Sequence, residues 1–357
     1  MSIMKDMLGS EESLFKNDLA LDYSFIPKLV PYRETQQRYI ASCIKPLFQQ
    51  RNGKNLLIYG QPGVGKTVAC RHLFSEIEEE TEEIVPVYIN CWQKNTTFKI
   101  ALELCDALGY KLTHNKRTEE LLDVVKGILN KKSAVLCFDE IDKAEDFDFL
   151  YTILEEVYRK TILLITNYKS WLDGLDSRIK SRLIAESLEF KPYNQQETKG
   201  ILKQRMESAF VPDVWVDDAF DFVAKKASEL EDIRAGLYIM KESADIAESM
   251  SSRKIRLEHC KEAIKKLDDF SIKKSSELAE DERRILDVIK ENSGKKIGEI
   301  YKEYCEQGNS CVYKTFQRKI KKLQENKFIS LAKTEGGEDG NTTIVKYLEI
   351  TKKLTEF

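Results

Sequence analysis

Up to about residue 194 the apolar positions of this chain alternate between two rhythms. Short apolar runs at 55–59, 84–89, 134–138, 161–166 and 187–190 predict strands. The stretches between them are amphipathic at helical spacing, and this alternation predicts a parallel sheet covered by helices on both faces. Ser133–Phe138 contains no charge, as a strand buried on both faces requires. From Gln195 to about Ile272 only the 3.6-residue period remains. Lys273–Ser276 interrupts it as a short linker. Beyond it, 281–291, 295–304 and a stretch from near Ser310 predict three helices, the last with the apolar stripe Val312, Phe316, Ile320 and Leu323. Phe328–Leu331 and Ile344–Leu348 then flank a Gly-rich loop, 336–341, and predict a hairpin. Residues 1–20 are polar and uncapped and predict a loose tail. The Glu-rich stretch 76–83 reads as a solvated helix end and loop. The expected organisation is tail 1–20, α/β base 21–194, helical lid 195–272, linker 273–276 and a winged helix–turn–helix at 277–357.

The first strand leads into Gly60-Gln61-Pro62-Gly63-Val64-Gly65-Lys66-Thr67, with a helix from Val68. This G-x-x-x-x-G-K-[ST] pattern in a strand–loop–helix setting is a phosphate-binding loop. Its glycines let successive N–H groups face one point, and the helix N-terminus adds positive potential there. Gly60, Pro62, Gly63, Val64, Gly65, Lys66, Thr67 and Val68 are therefore the expected nucleotide contacts. Lys66 would reach the β- and γ-phosphates, and the Thr67 hydroxyl would help hold Mg²⁺. The 134–138 strand ends in Asp139-Glu140-Ile141-Asp142. A carboxylate at the carboxyl end of a central parallel strand stands where ligands bind in such sheets. Asp139 is expected to act through water on Mg²⁺, Glu140 to polarise the attacking water, and Asp142 to cap a helix. The chain is thus expected to bind and hydrolyse ATP.

Composition narrows the rest. Net charge over 357 residues is −3, so the whole chain is not a polybasic nucleic-acid binder, and any DNA contact must be local. Such a patch exists: from Ser310 to Lys333 seven Lys or Arg face one acid, Glu325. Lys314, Gln317, Arg318, Lys321 and Lys322 lie off the apolar stripe of the third helix, where this fold contacts the major groove. The acidic tip Glu338-Asp339 tells against strong contact between hairpin and phosphate. The eight cysteines include no C-x-x-C pair, and with three histidines no zinc spacing forms. No run is long enough to cross a bilayer, and the expected location is the cytoplasm, associated with the nucleoid.

Together these parts resemble the archaeal replication initiators, AAA+ ATPases related to the origin recognition complex and to the cell-division-cycle helicase loader. The resemblance runs from about Leu29 to Ile350. It rests on Pro31-Tyr32-Arg33-Glu34, the phosphate loop, Tyr88-Ile89-Asn90-Cys91, Phe138–Asp142, Leu175–Leu183, Pro192-Tyr193-Asn194 and Asp232-Ile233-Arg234. It implies a first sensor at Asn167 and a second sensor, Arg234, reaching the γ-phosphate from the lid. It implies an arginine finger at Arg182, with Arg178 the alternative, aimed at a neighbouring subunit's nucleotide. Tyr193 and Arg205 would contact nucleotide at the junction of base and lid, and Val30, Pro31 and Arg33 would flank the adenine. The segment from Trp92 to about Thr118 stands where relatives carry a helical insertion that touches DNA; here it departs from the family pattern at Trp92 but includes Lys94, Lys99, Lys111, Lys116 and Arg117. The implied function is a slow ATP switch that binds origin duplex DNA, assembles there, and recruits or loads the replicative helicase. Two other readings stay open: a loader ATPase acting on a protein partner, and an ATP-controlled regulator of a mobile element.

Overall fold

The computed structural model describes residues 13–276, 280–307, 311–325, 329–337 and 340–347. The chain divides into two compact units, Met1–Cys260 and Lys261–Phe357.

Five parallel strands centre the first unit: β1 (Leu56–Tyr59), β2 (Ile84–Asn90), β3 (Ser133–Asp139), β4 (Lys160–Thr166) and β5 (Glu186–Glu189). They lie in the order β2-β3-β4-β1-β5. Side chains alternate across a strand, so each strand feeds both faces. Leu57, Val87, Ile89, Leu136, Phe138, Ile162 and Leu164 point to one core. This core is closed by α3 (Thr97–Ala107), α4 (Thr118–Leu129), α5 (Asp148–Glu156) and α6 (Ser177–Leu183). Leu56, Ile58, Ile84, Val135, Cys137, Leu163 and Ile165 point to the other, closed by α1 (Glu34–Ile44) and α2 (Lys66–Glu80). Every residue of β3 is buried, which explains its lack of charge before Asp139. Each large apolar side chain so buried is worth about 1.5–3 kcal/mol.

Register places the strand ends. Leu164 pairs with both Leu57 and Phe138, Thr166 with Tyr59, and Asp139 with Asn90. The carboxyl ends of β1, β3 and β4 therefore finish at one level, and the loops that follow them share one edge of the sheet.

Helices α7 (Gln195–Ala209), α8 (Asp217–Glu229) and α9 (Ile233–Ser249) follow, and then α10 (Leu257–Ser276). Asn194 opens α7 with a capping box to Glu197. Two expectations fail here. Lys273–Ser276 is the last turn of α10 and not a linker, because its Lys and Ser residues break no helix. Nor is the N-terminal segment loose from residue 13 onward. Leu14 is buried, Phe15 stacks on Phe210 with centroids 5.1 Å apart, and Leu14 N donates to Glu248 Oε1 at 2.7 Å. Asp18–Leu21 forms a 3₁₀ turn with Ala20 and Leu21 buried. The apolar residues of this strap were masked by the polar ones between them.

The second unit packs α11 (Glu280–Glu291), α12 (Ile297–Glu306) and α13 (Tyr313–Glu325) around Ile285, Ile289, Ile300, Phe316, Ile320 and Leu323. An antiparallel hairpin, β6 (Ile329–Gly337) with β7 (Gly340–Tyr347), adds Ile329 and Val345 to this core. Its strands run much farther than the apolar runs predicted, taking in Gly336, Gly337, Gly340 and Asn341. Backbone pairing needs no apolar side chain, and an irregularity between Thr334 and Gly337 absorbs the register. Ser310, Phe328, Leu348 and the acidic tip Glu338-Asp339 lie outside the described residues.

Candidate nucleotide site

Gly63 and Gly65 give the loop after β1 its shape. Both have positive φ, +80° and +87°, where residues with a Cβ are strained. A Cβ at Gly65 would also stand 2.6 Å from the Tyr193 hydroxyl, and one at Gly63 would collide with Asp232 Oδ1. The loop is therefore clasped from outside, by Tyr193 two residues before α7 and by Asp232, which caps α9.

Lys66 opens α2 and is 7% exposed. Its ammonium donates to Gly60 O at 2.7 Å, Gln61 O at 2.8 Å and Asn167 Oδ1 at 3.1 Å. Burial brings its pKa down to about 8, the nearby Asp139 carboxylate working the other way and Arg234 adding to the fall. Thr67 Oγ1 donates to Asp139 Oδ2 at 2.6 Å. Glu140 follows in a left-handed conformation, φ +52°, which turns it off the line of β3. Burial first, then Asp139 and Asp142, raise its carboxyl pKa, while Arg234 opposes the rise. The structure thus brings Lys66, Thr67, Asp139, Glu140 and Asn167 together and sets Arg234 within electrostatic reach. Arg234 is positioned by the start of α9, where Asp232 accepts from Arg234 N at 2.9 Å.

Other expected residues are placed differently. Asp142 caps no helix: it accepts from Thr166 Oγ1 at 3.1 Å and pairs with Lys143, because a 3₁₀ turn already follows Glu140. Arg33 is buried and braces the loop, donating to Val64 O at 3.1 Å and Lys191 O at 2.5 Å with its guanidinium 3.8 Å from the Tyr193 ring centroid. Val30 is buried and Pro31 half-buried just before it, while Val68 continues the first turn of α2. Arg205 faces the N-terminal strap, donating to Ala20 O at 3.2 Å and Phe25 O at 3.3 Å. Arg182 pairs with Glu155 and lies 5.1 Å from the Tyr151 ring centroid, whereas Arg178 is the more exposed of the two arginines and pairs with Asp176. Of the basic residues at 94–117, Lys94, Lys99 and Lys111 are held by Glu103, Asn95 and Asp106.

In α13, Lys314, Gln317, Arg318, Lys321 and Lys322 are all exposed. Lys322 is nonetheless bound to the buried Glu282 at 2.6 Å, and Lys319 pairs with Asp281. The positive face of the helix is thus smaller than its sequence suggests. Tyr88 carried no expectation of its own, yet its hydroxyl donates to Asp139 Oδ2 at 2.8 Å. The sequence signals were its place on a predicted strand and in the Tyr88-Ile89-Asn90-Cys91 segment of the resemblance, neither of which gave it a role.

Comparisons with known proteins agree with this geometry. Residues 49–171 match the model of the AAA domain, and residues 199–265 match that of the Cdc6 AAA+ ATPase-type lid domain. ORC1-type DNA replication protein 1 of Archaeoglobus fulgidus is 31% identical over 340 residues, covering 90% of this chain and 81% of the relative. Among solved structures, Aeropyrum pernix ORC1 in complex with DNA superposes with a TM-score of 0.71 at 24% identity, over 95% of this chain and 94% of that one. Aeropyrum pernix ORC2 in its ADPNP-ADP complexes gives 0.72 at 16% identity, over 94% of each chain. The sheet unit is accordingly an AAA+ ATPase fold followed by a helical lid.

Proposed function

The chain belongs to the family of ORC1-type DNA replication proteins, and on that premise we propose that it is an ATP-switched initiator that binds origin duplex DNA. The observation that carries this reading is the meeting of two parts: the phosphate loop lies against the capped N-terminus of α9, which bears Arg234. A nucleotide there would touch base and lid at once, so its presence and its γ-phosphate would set the angle between them.

The chemistry follows from the residues. Lys66 directs its three protons to two loop carbonyls and Asn167. Phosphate oxygens are stronger, charged acceptors and would take over those bonds. Asn167 would then be released to orient the attacking water, and Glu140, with its carboxyl pKa raised, would accept that water's proton. Arg234 would bring positive charge to the γ-phosphate from the lid. Thr67 and Asp139, two hard oxygen donors 2.6 Å apart beside the loop, fit Mg²⁺ and would hold it. When bound, the cation would supply charge neutralisation for the nucleotide's phosphates. Arg178, the more exposed arginine, is better disposed than Arg182 to reach a neighbouring copy's nucleotide.

The second unit would supply the duplex contact, through Lys314, Gln317, Arg318 and Lys321 of α13. Recruitment of a replicative helicase belongs to the same reading. One observation favours a second reading, a loader ATPase acting on a protein: two lysines of α13 are already neutralised within the unit.

The test is a pair of variants read on nucleotide binding and turnover. Lys66→Ala is expected to abolish ATP binding by calorimetry, and Glu140→Gln to keep binding and lose hydrolysis. Normal hydrolysis by Glu140→Gln would remove Glu140 from the role of base.

A further inference from the structure

Asp139 is 3% exposed, so each of its acceptor sites must be answered by a protein group or by the ligand it serves. A carboxylate offers about four lone-pair directions. Three are taken: Oδ1 accepts from Glu140 N at 2.8 Å, and Oδ2 accepts from Thr67 Oγ1 at 2.6 Å and from Tyr88 OH at 2.8 Å. The Tyr88 bond comes from a different strand. Tyr88 pairs with Cys137 in the β2–β3 ladder, two residues before Asp139, and its ring packs in the core shared with α2. The Arg71 guanidinium lies 5.4 Å from the ring centroid on the α2 side. The hydroxyl is thus held by a rigid sheet position and a packed ring.

Building on the reading of Thr67 and Asp139 as the Mg²⁺ holders, we propose that Tyr88 is a positioning residue of that cation site. Thr67 must turn its oxygen lone pair to the cation while its proton stays on Asp139 Oδ2. The Tyr88 hydroxyl fixes the plane of the carboxylate while this happens, and leaves one lone-pair direction for the cation's coordination shell. With Phe at 88 the carboxylate keeps one bond on each oxygen, from Glu140 N and Thr67 Oγ1, and loses the one that ties it to the sheet, so its plane is set less firmly for Mg²⁺. Loss of a second-layer hydrogen bond of this kind typically costs about 10- to 100-fold in metal affinity or activity.

The experiment is calorimetric titration of ADP into wild type and Tyr88→Phe, first in EDTA and then across a Mg²⁺ series. Phe keeps the ring and its packing, and melting of the unliganded proteins checks that the fold is intact. The expected result is an unchanged ADP affinity in EDTA with about 10-fold more Mg²⁺ needed for half of the Mg²⁺-linked gain. An unchanged Mg²⁺ midpoint, or an equal loss of affinity with and without Mg²⁺, overturns the role of Tyr88. A wild type whose ADP affinity ignores Mg²⁺ would instead sink the Thr67–Asp139 site itself, and this inference with it, so the two failures are told apart.

Discussion

Gly63 joins two functions at one Cα. Its positive φ shapes the phosphate loop, and the missing side chain makes room for Asp232, which caps the lid helix that carries Arg234. Gly63→Ala is therefore expected to weaken ATP binding on two counts, by straining the loop and by displacing the cap. A strained backbone position costs about 1–3 kcal/mol, roughly 5- to 150-fold in affinity at 25 °C. Calorimetry of ATP binding checks it, and an affinity within twofold of wild type would show that loop and lid are not coupled there. Arg33 makes the complementary point. The family resemblance implied a place beside adenine; in the structure its Nε and Nη2 donate to Val64 O and Lys191 O, so it braces the loop from outside. Nothing local in Pro31-Tyr32-Arg33-Glu34 announces this, because the acceptors lie 31 and 158 residues away.

At the scale of elements, local signals read well and distant ones did not. The phosphate loop, the five strands and the acidic end of β3 were legible because each depends on adjacent residues: apolar runs, glycines at fixed offsets, a carboxylate where a strand stops. The convergence of Lys66, Asp139 and Asn167 follows from these through strand register. The N-terminal strap was misread because Leu14 and Phe15 dock on Glu248 and Phe210, some two hundred residues on. The charge of α13 was overestimated for the same reason. Lys319 and Lys322 meet Asp281 and Glu282 of α11, about forty residues earlier in the chain.

That pairing divides the basic residues of α13 by task. A lysine already bound to a carboxylate releases no counterion on binding DNA, whereas one that reaches a phosphate does. Arg318→Gln is expected to lower the salt slope of duplex binding by about 1, and Lys322→Gln to leave the slope unchanged while lowering the melting temperature. Fluorescence anisotropy over a salt series decides it. A reduced slope for Lys322→Gln would mean that its bond to Glu282 opens when DNA binds.

The whole molecule combines an ATPase site and a three-helix unit with a hairpin in one chain, and an ATP switch on DNA binding requires the two to be coupled. Low ATP turnover is compatible with it, since a switch needs a long-lived state and not a fast cycle. The most direct test is footprint sequencing. Purified protein is mixed with sheared DNA from its own source at physiological salt, with ATP or without nucleotide, and the protected fragments are sequenced. Enrichment of a few loci with repeated half-sites is expected when ATP is present, and is lost in Lys66→Ala. Weak, uniform protection that ignores ATP, or none at all, would contradict the switch, and would favour an ATPase directed at a protein.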